Sequence, residues 1–428
     1  MNVEENKGLL FDDLTLAEIR DRFYHVDTDI DGTERLFFEN AGGSLRLKKA
    51  VEIADRLNRF PDCYARDHKA SKILQKYEAQ GKEDLRLLFN AAKGAVATNL
   101  TASALMFDMV EAVVEHGKGT NIVTTVLEHP SVYDACQYFG KKYGKEVRVA
   151  GVNRKTGGVD EEDVLNLVDE NTVLVNVIAA SNMTGAVTDL QTIVSRARKK
   201  NPDVYIFTDA VQHAPHALID VDGLQLDGVN IAPYKFFGNR GISFGYVSDR
   251  VKDLPHRRIL EDSADVWELG SIAPAHYGTI SEIVDYIVWI GQKYSGKGDK
   301  RSCLEEGMRR IRLHEQALLY RLLHGQSGLP GLLSMDAVDV FFDYHNLENR
   351  DFILPMAIEG MEYYDTVRAY EERGIIVFER VATSAFSKRM VEAFGLEGII
   401  RISPLHCNST EEIDRFLRAT EDIIASRQ

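Results

Sequence analysis

The sequence predicts an α/β protein, with a mostly parallel central sheet in a large domain and a smaller α+β domain after it. Three observations carry this. Short β-rich runs alternate with helical stretches between about residues 85 and 250. The small and charged stretch Ser295-Gly-Lys-Gly-Asp-Lys-Arg301 breaks that rhythm. Beyond it, fewer strand-like runs are interleaved with helices.

Taken in order, the runs at 121–126, 147–152, 173–180, 204–208, 229–232 and 242–247 read as strands. Their alternation with helical segments implies helices on both faces of the sheet. Residues 303–324 have the spacing of one long amphipathic helix. Strands are then expected at 352–358, 375–378 and 399–403, and helices at 364–373 and 387–394. A last helix opens with Ser409-Thr-Glu-Glu412, a capping box in which each side chain satisfies the other's backbone donor. The expected division is an N-terminal arm and pocket loop over 1–45, a large domain over 46–295 and a small C-terminal domain over 296–428. No internal repeat or low-complexity segment interrupts it.

Composition narrows the function. The 428 residues hold 51 Lys+Arg against 66 Asp+Glu, a formal charge of −15, with the basic residues scattered. Such a surface repels phosphates at long range, which argues against nucleic acid or an anionic membrane as partner and favours a small-molecule enzyme. The opening MNVEENKGLLFDDL lacks a basic segment followed by an apolar one, and no apolar run approaches the about 20 residues of a membrane helix. A cytoplasmic location is expected. Cys63, Cys136, Cys303 and Cys407 are too widely spaced for a metal or redox pair, so reduced, packed thiols and no metal site are expected.

Candidate chemistry centres on Lys235. It lies in Pro233-Tyr-Lys-Phe-Phe-Gly-Asn-Arg-Gly241, between two strands and among aromatic residues. Desolvation there favours the neutral amine, a nucleophile toward an aldehyde, whereas a lysine on an open surface would stay an ammonium. Upstream, the apolar run beginning at Val204 ends in Asp209-Ala-Val-Gln212. A carboxylate buried at the C-terminal edge of a parallel sheet needs a cationic partner, and a protonated pyridine nitrogen is one.

Together these residues resemble the pyridoxal phosphate (PLP) enzymes of aminotransferase class V, fold type I, in the cysteine desulfurase and selenocysteine lyase group. The resemblance spans roughly residues 36–425. It implies that Lys235 carries the cofactor as a Schiff base, that Asp209 pairs with the pyridine nitrogen and that Gln212 bonds the phenolic oxygen. Leu127-Glu-His-Pro-Ser131 matches the segment whose histidine stacks on the ring, which gives His129 that role and a proton-transfer one. Ala180-Ser-Asn-Met-Thr-Gly185 places Asn182 near the phenolic oxygen and the substrate carboxylate. Thr101, Ala102 and Ser103, opening a helical run, take the phosphate-binding position, where a helix start favours an anion.

The resemblance further implies a homodimer with a shared active site, in which Ser271 of Glu268-Leu-Gly-Ser271 completes the partner's phosphate site. Arg401 in Ile400-Arg-Ile-Ser-Pro-Leu-His406 becomes the anchor for the substrate carboxylate. Glu39-Asn-Ala-Gly-Gly-Ser44 becomes the pocket loop, with Ala41 and Gly42 lining the substrate.

Departures bear on the reaction. Residues 379–398, where the desulfurases carry a sulfur-accepting cysteine, contain none, so no persulfide relay is expected. Leu100 replaces a glycine, Tyr234 a histidine and Ala232 a serine of the family pattern. His213, His216 and the segment 64–71 are polar candidates without an assigned role. The expected activity is Cα deprotonation of an α-amino acid followed by β-elimination in a C–S lyase. Transamination, epimerisation and a non-catalytic PLP-binding module are the alternatives.

Overall fold

The computed structural model describes residues 9–61, 65–296 and 298–427. Cys63, the Tyr64 end of the 64–71 segment and the first eight residues lie outside the described residues. The central sheet comprises β1 (Ala95–Asn99), β2 (Asn121–Thr125), β3 (Glu146–Ala150), β4 (Thr172–Ile178), β5 (Tyr205–Asp209), β6 (Gly228–Ile231) and β7 (Ser243–Val247). Their order is β1-β7-β6-β5-β4-β2-β3. The pairs from β3 across to β6 are parallel. β7 runs antiparallel to both β6 and β1, making an antiparallel margin on a parallel sheet.

All of β4 is buried, as a strand covered on both faces must be. Leu174 and Phe207 face one layer, with Met106 and Met109 of helix α1 (Ala102–His116) and Val132 of helix α2 (Pro130–Tyr143). Val175 and Ile206, one residue along their strands, face the opposite layer, as the two-residue period of a strand requires. That layer includes helix α3 (Pro274–Ser295) and the first half of helix α4 (Lys300–His324). α3 and α4 meet backbone to backbone. A Cβ on Gly291 would lie 1.8 Å from the Cys303 carbonyl oxygen, and one on Gly307 2.1 Å from that of Ile287, so only glycine fits.

The second half of α4 belongs to a different core. Leu318, Leu319, Leu322 and Leu323 pack with an antiparallel sheet of order β8-β9-β11-β10, made of β8 (Val338–Val340), β9 (Leu354–Ile358), β10 (Phe378–Val381) and β11 (Gly398–Ile402). Leu36 and Phe38 of the N-terminal arm join that core. The expected strand at 375–378 is divided. Ile375–Ile376 pairs in parallel with Leu36–Phe37 of the arm, whereas β10 starts at Phe378 and pairs with β11. The final helix, Thr410–Ala425, begins with the expected capping box: Ser409 N–H donates to Glu412 Oε2 at 2.8 Å and Glu412 N–H to Ser409 Oγ at 3.2 Å. No helix among the described residues is long and apolar enough to cross a membrane.

Candidate active site

The C-terminal ends of β2, β4, β5 and β6 share one sheet edge, so the segments after them converge. Lys235 closes a short 3-10 turn after β6, is 8% exposed and points Nζ toward Gln212 Oε1 at 3.4 Å. Burial, then the charge of Arg401, pushes its pKa down to about 8. Roughly a tenth of the amine is then neutral at pH 7, against less than about a thousandth for an ordinary lysine.

Asp209 ends β5 and is 4% exposed, with Oδ1 accepting the Val211 N–H at 3.0 Å. Burial pushes its pKa up to about 6, which the Val211 amide and the Lys235 charge only partly offset. His129 caps α2. Its Nδ1 accepts the Ser131 N–H at 3.2 Å and lies 2.6 Å from Ser131 Oγ, which places a ring proton on Nε2. Burial, then the charges of Lys235 and Arg380, lowers its pKa to about 4, so the ring is neutral at pH 7. Asn182 follows β4 with its buried Oδ1 unpartnered. Thr101 caps α1 through its hydroxyl, which accepts the Ala104 N–H at 3.1 Å. The Ala102 and Ser103 amides at that helix start have no acceptor within the helix.

Lys235, Asp209, Gln212, His129, Asn182, Thr101, Ala102 and Ser103 line one cavity of about 450 Å³. Tyr234 and Arg240 complete its wall, the guanidinium stacked 3.9 Å from the Tyr234 ring centre. Ala41, Gly42 and Arg401, expected to line the substrate, are not among the cavity's lining residues; their segments join residues that are. The Ala41 N–H donates to Ser403 Oγ at 3.1 Å, and the Ser44 N–H to the Tyr234 carbonyl at 3.1 Å, so the pocket loop bridges β11 and the lysine turn. Arg401 Nη1 donates to the Asn182 carbonyl at 2.9 Å, and Nη2 meets Glu39 Oε1 at 2.6 Å. Ser271 is exposed and does not line the cavity of its own chain.

Arg240, Arg380 and Glu39 escaped the sequence reading as site residues. Arg240 stands five places after the lysine in a segment already singled out, so that segment's one other cation was a usable signal. For Glu39 and Arg380 the signal is tertiary. His213 and His216 turn to buried carboxylates, Nδ1 of each at 2.8 Å from Asp351 and Glu315 respectively, and tie the segment after Gln212 to α4 and to the approach to β9.

A family model described as aminotransferase class-V matches residues 37–258, just over half of the chain. The chain belongs to the aminotransferase class-V family. Members of this family are PLP-dependent enzymes. Among relatives, a cysteine desulfurase IscS from Clostridium botulinum (strain Kyoto / Type A2) is 32% identical over 163 residues, covering 36% of this chain and 40% of that protein. The chain thus spans about two fifths of the length of that relative. A probable cysteine desulfurase from Borreliella burgdorferi is 22% identical across 95% of this chain and 96% of its own. The apo cysteine desulfurase from Thermococcus onnurineus NA1 superposes with a TM-score of 0.77 at 20% identity, over 92% of this chain and 95% of that one. The fold is therefore that of class V, fold type I.

Proposed function

We propose that this chain is a PLP-dependent C–S lyase that converts an amino acid of the cysteine type, with water, into a keto acid, ammonia and hydrogen sulfide, without a persulfide relay. The observation that carries the reading is a buried, partly neutral Lys235 amine facing Gln212 in the cavity that also holds a buried Asp209 with no cation in contact among the described residues.

The residues fit the cofactor. Asn182 Oδ1 is a buried, unsatisfied acceptor beside the cavity. Asp209, raised by burial, is matched by a protonated ring nitrogen. The start of α1 and the Arg240 guanidinium, at the same wall, suit a phosphate. Bound there, PLP supplies an electron-withdrawing ring that stabilises negative charge at the amino acid Cα. Lys235 Nζ is the base for the Cα proton, and its lowered pKa suits it to take up that proton and return it near neutral pH. His129, neutral, gives a flat apolar face and an Nε2–H donor. Cys136, Cys303 and Cys407 are buried, which keeps those thiols from attacking the substrate sulfur and supports its departure as sulfide.

The test is the visible absorbance of purified protein with added PLP, beside Lys235→Ala, followed by product analysis with L-cysteine. A band lost in the variant, with pyruvate and sulfide in equal amounts, is the expected result. Alanine with sulfur left on the protein indicates a relay, which Cys63→Ser then probes. The amino form of the cofactor indicates a transaminase, and D-cysteine an epimerase. No band in either protein overturns the PLP assignment.

A further inference from the structure

The turn that carries His129 is held from two sides. On the sheet side, Glu128 Oε1 accepts the Thr125 hydroxyl at 2.8 Å and the Ile178 N–H at 2.8 Å, which ties the turn to the end of β4. On the other side stands the helix Lys388–Phe394, between β10 and β11. Its Arg389 donates through Nη2 to the Glu128 carbonyl at 2.7 Å and through Nη1 to the Val126 carbonyl. Among the described residues neither carbonyl has another donor. The same guanidinium lies 4.0 Å from the centre of the Tyr133 ring, in the first turn of α2.

Adhesion at this junction has a separate source. Leu127 packs with Met390, Val391 and Phe394 of the helix and with Ile178 and Met183 of the sheet edge, and apolar burial of this kind is without direction. A rigid guanidinium fork across two carbonyls supplies the direction. The helix is in turn fastened to β10, where Ser387 Oγ donates to the Val381 carbonyl at 3.0 Å. A continuous run of contacts thus leads from β11, which carries Arg401, through β10 and Arg389 to Glu128, the neighbour of His129 in the cavity wall. His129 caps α2 with its own ring, so a shift of the turn moves the ring. Burial, and then the charges of Lys235, Arg380 and Arg389, hold that ring's pKa down at about 4.

We propose that Arg389 is a positioning residue of this site: it fixes the His129 turn from the C-terminal sheet, so that the ring in the cavity wall takes its working place only when the two sheets are docked. This rests on the reading of the cavity as a PLP site with His129 over the cofactor ring.

The experiment is visible circular dichroism of the PLP-loaded protein, in wild type, Arg389→Gln, Arg389→Lys, His129→Ala and the double variant of Arg389→Gln with His129→Ala. Ellipticity at the cofactor band reports how asymmetrically the ring is held. Arg389→Gln is expected to lose about half of it or more while keeping bound PLP and the far-ultraviolet spectrum. Arg389→Lys, one ammonium in place of a fork, is expected to fall between, and it takes over the comparison should Arg389→Gln not fold. With His129 already removed, Arg389→Gln is expected to change the band by less than about a tenth, because the two residues act as one unit. A wild-type band in Arg389→Gln overturns the proposal. An equal loss with and without His129 overturns it too, since a general weakening of the fold would act in both backgrounds.

Should no cofactor band form, the PLP reading fails by itself, and titration of the His129 ring by NMR in the protein as purified decides the positioning role. Arg389→Gln is expected to raise the midpoint by about one pH unit or more, and Arg389→Lys to recover only part of the wild-type value. An unchanged midpoint overturns the proposal, as does full recovery by lysine, which would show charge alone at work.

Discussion

The floor of the site and its roof are built on opposite electrostatic terms. The floor, on the segments that follow the parallel strands, leaves Lys235 and Asp209 without an ion-pair partner among the described residues. Lys235 and Asp209 are each shifted toward neutrality by burial, and Asn182 Oδ1 has no partner. The roof, on the antiparallel β10–β11 pair and the pocket loop, has Arg401 and Glu39 matched in advance. Arg380 there has no ion-pair partner among the described residues. The difference teaches which charges the protein balances by itself: those of the Glu39–Arg401 pair in the roof, and not those of Lys235 and Asp209 in the floor.

Breaking the floor should have the largest effect. With the roles proposed above, Lys235→Ala would remove both the cofactor attachment and the base, and turnover should fall by about four orders of magnitude or more. Steady-state product assays check this, with cofactor retention as the companion measurement. Beneath the floor, Glu315→Ala strips His216 of its buried partner and leaves the His406 N–H, 3.1 Å from Glu315 Oε1, without an acceptor. Urea unfolding should report a loss of about 3 kcal/mol.

Asp209→Asn keeps the shape but not the charge. It should lower turnover about a hundredfold, ~3 kcal/mol at the transition state, while PLP still binds. Next in size is a pH effect. Only the neutral Lys235 amine can attach the cofactor, so PLP capture by cofactor-free protein should rise about tenfold per pH unit below pH 8 and level off above it. A lysine at its ordinary value would keep rising past pH 10, and stopped-flow absorbance distinguishes the two. The smallest effect sharpens the roof. Gly42→Ala sets a methyl against Glu39 Oε1 and should displace it from Arg401 at a cost of about 1 kcal/mol, visible as a broken contact in a crystal structure.

The floor was legible in the sequence and most of the roof was not. Asp209, Gln212 and Lys235 lie within one strand-to-strand unit, and their segments reach the same sheet edge because parallel strands all end there. Arg380 sits in Phe-Glu-Arg-Val, whose alternation is that of any edge strand. It acquires meaning only through its diagonal position to Arg401. Glu39 meets Arg401 across 362 positions of sequence, and no local pattern encodes that distance. Among the elements, β1 went unread because its composition, Ala-Val-Ala-Thr-Asn, is small and weakly β-branched, although it is the outer strand of the sheet beside the antiparallel β7. The run at 375–378 read as one strand because an apolar stretch does not reveal that two different sheets claim its halves.

The pairing of Leu36–Phe37 with Ile375–Ile376, and of Asn40 and Ala41 with Ser403, has a consequence for biosynthesis. The pocket loop leaves the ribosome more than three hundred residues before its partners. A nascent chain can therefore assemble the central sheet and the lysine turn while the loop still has no place to dock. Sealing of the pocket then waits for the emergence of Ser403, and a truncation that removes β11 should leave residues 36–41 without a home even where the parallel sheet has formed.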